Sequence, residues 1–131
     1  MSDEKILYSN ICQLLIEALP ELPAFGKKLS FFTWEKDDLP PPYEVFGIAF
    51  YSFLCRIISE KPDRELGERA FRFLESAAQS NDPEVQNLLG LEILDRIASD
   101  DQLLLKAVPF LGPNTLALIE STRRAGEAEK R

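Results

Sequence analysis

The stretch Pro40-Pro41-Pro42-Tyr43-Glu44-Val45-Phe46-Gly47-Ile48-Ala49-Phe50-Tyr51-Ser52-Phe53-Leu54-Cys55-Arg56-Ile57-Ile58 limits the possible folds more than any other part of the chain. A proline run launches one helix, and that helix is apolar nearly all the way round. At ~100° per residue, Phe46, Phe50, Phe53 and Ile57 fall within about 60° of one another. Ile48, Tyr51 and Cys55 occupy the opposite side, and only Glu44, Ser52 and Arg56 supply a polar edge. A helix apolar over most of its circumference belongs in the middle of a domain. The chain is therefore expected to be all-α, with this helix as its hub. The longest uncharged run of the hub, Val45 to Cys55, is far shorter than the ~20 residues of a membrane span.

The rest of the chain supplies helices to surround it. Apolar residues at helical spacing predict a first helix from about Asp3 to Leu19, capped by Ser2 or Asp3 and ended by Pro20 and Pro23. Its stripe is Leu7, Ile11, Leu14, Leu15 and Ala18. Glu21 to Pro42 reads as an ordered loop with a short helical turn near Ala24. Nine of the 13 aromatics fall between Phe25 and Phe53, so Phe31, Phe32 and Trp34 are expected to cover the hub or to remain open as a partner patch. The side of the hub with Ile48, Tyr51 and Cys55 is where that loop would lie. After Lys61-Pro62, Asp63 caps a third helix, about Arg64 to Gln79, with Glu65–Arg69 and Glu68–Arg72 as i,i+4 pairs. Asp82-Pro83-Glu84 is the strongest local signal: an N-cap, the favoured first helical residue, and a carboxylate at the positive end of the dipole. It opens a fourth helix to about Ala98, in which Gly90 is expected to mark a close crossing. Asp100 and Asp101 start a shorter fifth helix, and Gly112-Pro113 leads into a sixth, Asn114 to about Thr122.

This pattern is five or six helices in antiparallel pairs, forming a single domain over 1–122 with a frayed, charged tail at 123–131. Asp-Pro followed by Val and paired leucines is similar to the second half of a HEAT or armadillo unit, which implies a short superhelical bundle. No repeat near ~40 residues extends it into an array.

Charge narrows the function. The formal net charge is −7, which opposes direct nucleic-acid binding, since phosphate neutralisation needs a basic face. From Asp63 to Ser121 there are 11 acidic and 5 basic residues, so the acidity belongs to the second half of the folded part. Such a surface either attracts a basic protein or keeps the chain soluble. Cys12 and Cys55 sit among apolar residues and read as reduced core thiols. The acidic Ser2-Asp3-Glu4 start is unlike a signal peptide, and together these features point to the cytoplasm.

Chemistry is sparse. With no histidine, Cys-His and Ser-His-Asp arrangements are excluded, as are the usual zinc sites, and the six glycines are all isolated. One carboxylate group remains: Glu92 and Asp95 share a side of the fourth helix, and Glu75 could face them across a hairpin. Acid–base or metal work there competes with a salt-bridged interface involving Arg72 and Arg96. The chain is read as non-enzymatic, with no cofactor and no metal.

Glu21-Leu22-Pro23, the aromatic helix Phe46 to Phe53, the run Asn81 to Leu89 and Phe110-Leu111-Gly112-Pro113 together resemble a family of small uncharacterised bacterial proteins. These are all-helical and armadillo-like, and some are suspected immunity partners of secreted toxins. The resemblance spans about residues 6 to 120 and implies a protein-binding domain facing a basic toxin domain. On that reading Asp63, Glu65, Asp82, Glu84, Glu92 and Asp95 form the negative face, with Trp34 as an anchor and Tyr51 on the second side of the hub. The alternatives are a small scaffold or regulatory subunit holding a peptide in an aromatic groove, and, last, a carboxylate metalloprotein.

Overall fold

The computed structural model describes residues 5–28, 40–60 and 64–129, of which 122–129 are described by backbone alone. The expected Ser2/Asp3 cap, the aromatic run Phe31, Phe32 and Trp34, and the Asp63 cap lie outside those residues. Among the described residues there are seven helices and no strand, so the chain is all-α. They are α1 (Ile11–Ala18), α2 (Leu22–Lys27), α3 (42–60), α4 (Arg64–Ala78), α5 (83–98), α6 (Asp101–Ala107, continued by a 3-10 turn Val108–Phe110) and α7 (Pro113–Glu129). None of them is long and apolar enough to cross a membrane.

The hub is where the sequence places it. Pro41 stands at the N-cap position of α3 and Pro42 is its first residue. Val45, Phe46, Ala49, Phe50, Phe53, Leu54, Ile57 and Ile58 are all buried. Phe50 meets Phe73 of α4 edge-on at 6.2 Å, and Phe25 of α2 meets Phe53 edge-on at 5.3 Å. A fully buried phenylalanine contributes about 1.5–3 kcal/mol relative to an exposed one, so these rings make α3 the energetic centre of the fold.

The way α3 buries so much apolar surface is not regular. It begins as an α turn (Pro42–Glu44), continues as a π-helix (Val45–Phe50) and returns to α (Tyr51–Glu60). The Tyr51 amide accordingly donates to Phe46 O, five residues back. On a uniform α-helix, the quartets Val45, Phe46, Ala49, Phe50 and Phe53, Leu54, Ile57, Ile58 would point about 80° apart. A π turn takes one extra residue, which turns everything beyond it back by about 100°. Both quartets then share one side. Helix α5 repeats the device: a π segment (Gly90–Leu94) lies between Pro83–Leu89 and Asp95–Ala98, and Asp95 N donates to Gly90 O. It brings Ile93, Leu94 and Ile97, otherwise about 130° out of phase, under Val85, Leu88 and Leu89.

Three expectations are corrected. Helix α1 starts at Ile11, not Asp3, and Leu7 is 41% exposed instead of lining its stripe. Residues 5–10 form an arm whose backbone is bonded by side chains. Asn10 Nδ2 donates to Lys5 O (3.0 Å), Leu7 N donates to Asn10 Oδ1 (2.8 Å), Ser80 Oγ donates to Ile6 O (2.6 Å) and Tyr8 N donates to Asp82 Oδ2 (2.9 Å). Such local bonds compete with the helix for backbone groups. Glu68 pairs with Arg64 (3.2 Å), a turn earlier than the expected Arg72. The last helix also continues past Thr122 to Glu129.

Candidate functional site

The cap signals place the acidic residues, and the structure then assigns them different work. Asp82 caps α5 as expected, its Oδ1 accepting from Glu84 N at 3.0 Å. Its other oxygen holds the N-terminal arm through Tyr8, so Asp82 serves the fold with both oxygens. Glu65 accepts from Arg69 Nε at 2.8 Å. Arg69 also reaches Glu21 (2.6 Å) and Ala18 O (3.1 Å), tying α4 to the chain around α1 and α2. Its hydrogen bonds hold the Glu21 carboxyl below the ordinary carboxylate value. Glu84 and Asp95 are exposed along α5, as are Asp100 and Asp101 at the α5–α6 connection. Asp100 also caps α6 through Leu103 N (3.1 Å). Trp34 and Asp63 lie outside the described residues.

Two of the expected partner residues lie at the crossing where the π segments of α3 and α5 meet, Glu92 against Gly47 and Tyr51 under Arg96. At this crossing the close approach is made by Gly47 of α3. A Cβ on Gly47 would collide with the Glu92 carboxylate and lie 3.1 Å from Glu92 Cδ. One turn on, Arg96 leaves α5 and crosses to α3. Its Nη1 donates to Gly47 O at 2.6 Å, and its guanidinium carbon stands 3.7 Å from the centre of the Tyr51 ring. Arg96 was expected among the carboxylates, and it lies instead on a backbone carbonyl and an aromatic face. A cation over a ring in this position contributes about 1 kcal/mol.

Burial and hydrogen bonding with Cys55 push the Tyr51 phenol up to about 12. Burial also raises the Cys55 thiol, against the lowering effect of Tyr51 and Arg96. Cys12 is pushed up to about 11 by burial. Both thiols are thus held in the protonated, weakly nucleophilic form.

The carboxylate group of Glu75, Glu92 and Asp95 is not assembled. Glu75 turns away from α5 to the start of α7. Its Oε2 accepts from Asn114 N and Asn114 Nδ2 (both 2.7 Å), and its Oε1 from Thr115 N (3.0 Å) and Thr115 Oγ1 (2.6 Å). Burial would raise this carboxyl, but the four donors outweigh it and the net shift is downward. Gly112 makes room, since a Cβ there would lie 2.5 Å from Glu75 Cδ. Among the described residues no three carboxylates or thiols gather closely enough to hold a metal ion.

Open grooves mark the surface of the described residues, and two of them are sizeable. One, of about 640 Å³, runs between the N-terminal arm and the α4–α5 corner, with Ser76, Gln79 and Asn81 along it. The other, of about 450 Å³, has the stacked Phe71 and Phe110 rings (5.0 Å) at its base and Arg64 and Arg72 at its rim. Sequence reading missed the contact roles of Gly47, Gly112, Asn114 and Thr115 and gave Arg96 the wrong partners, because each acts on a distant helix.

The profile of a domain of unknown function (DUF7674) matches residues 12–125. No curated protein and no solved structure gives a match.

Proposed function

We propose that this chain, which belongs to the DUF7674 family, is a non-enzymatic protein-binding domain that presents the α5–α6 side to a basic partner. The observation that carries this reading is the disposition of charge over residues 83–107. Glu84, Asp95, Asp100 and Asp101 are exposed there, whereas one of the two cations, Arg96, is bonded to α3, leaving Lys106. A surface of one sign steers an oppositely charged partner and raises its association rate, more so at low salt. The reading extends to an immunity role, in which the domain neutralises a basic toxin domain in the cytoplasm, and the same charge supports it.

The aromatic-groove alternative keeps one candidate, the groove over Phe71 and Phe110, and ranks second because Tyr51 lies under Arg96. The metalloprotein reading loses its third ligand to α7. The test is genetic and direct. Effector-like genes beside this one are expressed with the wild type and with the triple variant Glu84→Lys, Asp95→Lys, Asp101→Lys. Protection by the wild type and its loss in the folded variant is the expected result. Protection that survives the charge reversal, or no protection from any adjacent effector, ends the proposal.

A further inference from the structure

The α3–α5 crossing contains more than packing. A π turn is a rare interruption of an α-helix and persists where its surroundings hold it. On α3 the surroundings of the π segment include one long side chain from outside, Arg96, bonded to the Gly47 carbonyl and laid on the Tyr51 ring. Gly47 has no side chain of its own to contribute, and the space above it is filled by the Glu92 carboxylate. Arg96 is nevertheless exposed, so the group that holds the crossing is accessible from solvent.

We propose that Arg96 is a clasp: it holds the π segment of α3 against α5 and covers the Tyr51 ring one turn on, and its release opens this crossing locally while the rest of the core stays folded. The geometry makes the opening local. Phe46, Phe50, Phe53 and Ile57 face the core and keep their partners, whereas Tyr51 and Cys55, one turn apart on α3, are only half-buried. Removing the guanidinium takes away a planar donor that lysine reproduces in charge but not in shape. With Tyr51 uncovered, Cys55 loses its shield. Cys12, on α1, is a second half-buried thiol with no contact to Arg96 among those that define the crossing.

The two cysteines make the test internal to one molecule. Wild type, Arg96→Gln and Arg96→Lys are treated with an aromatic disulfide reagent, and the modification rates of Cys55 and Cys12 are resolved by peptide mass. Rates are compared per thiolate, from their pH profiles, because the glutamine also removes the lowering effect of Arg96 on the Cys55 thiol. On that scale Arg96→Gln is expected to speed Cys55 about tenfold while Cys12 changes less than about twofold. Arg96→Lys falls between, and it carries the same comparison should the glutamine variant fail to fold. An unchanged Cys55 rate overturns the clasp. So does a parallel rise at both thiols, which would mean general destabilisation.

Discussion

Removing the Glu75 carboxylate tests the packing logic of the second half of the chain. The side chain accepts four hydrogen bonds from the first turn of α7, and one donor, the Thr115 hydroxyl, belongs to a residue only 1% exposed. In Glu75→Ala the stranded hydroxyl costs about 1–3 kcal/mol, and loss of the cap on α7 adds about 1 kcal/mol. Glu75 itself is half-buried, so water recovers part of the loss, and about 3 kcal/mol is expected. For a chain of this size that lowers Tm by about 10 °C. Glu75→Gln keeps one acceptor and is expected to lose about half as much. The folded-state carboxyl is shifted downward, so its contribution is fully present above the unfolded value of about 4.3 and disappears as pH falls through the lower folded value. Urea midpoints followed by circular dichroism should therefore show a constant gap between wild type and Glu75→Gln from about pH 7 to pH 5.5, closing on further acidification. No gap at neutral pH, or a gap that persists unchanged to about pH 3, would refute this account of α7 docking.

Gly112→Ala pushes a methyl into the same carboxylate, which four bonds prevent from swinging aside, and should cost about 2 kcal/mol; combined with Glu75→Ala its additional cost should fall near zero in a double-mutant cycle. Asp82→Ala loses the α5 cap and the anchor of the arm, for about 1–2 kcal/mol, with faster hydrogen exchange at the Tyr8 amide. Deleting Leu91, an exposed residue inside the π segment of α5, converts that turn to α and leaves Ile93, Leu94 and Ile97 facing the core, at a cost of less than about 2 kcal/mol. Deleting the exposed Arg72 from the regular α4 instead rotates Phe73, Leu74 and Ala77 by about 100° and should prevent folding. Equal outcomes for the two deletions, judged by thermal melts, would contradict the role given to the π turns.

Local chemistry explains what was legible. Asp82-Pro83-Glu84 announces α5 because a cap, a proline and a carboxylate act within one turn, and the structure shows the expected bond. The hub was visible for a similar reason: eight buried apolar residues lie within 14 positions of one another. Helix α1 was read too long because the bonds that stop it come partly from Ser80 and Asp82, more than 70 positions away. The acidic residues were visible as charges, but not in their roles. Glu75 looked like a neighbour of Glu92 until α7, 39 residues further on, supplied its donors.

By itself the sequence determined the all-α class, the central helix and the Asp82 and Asp100 caps, because apolar period and capping bonds are settled between residues a few positions apart. Only the tertiary structure decided the phase of α3 and α5. An all-round apolar helix can satisfy its core in more than one way, and the π turns that gather both quartets onto one side depend on the helices packed against them. The same holds for the long side chains. Where Glu75, Glu92 and Arg96 end is set by which helices abut, and that is a property of the whole core.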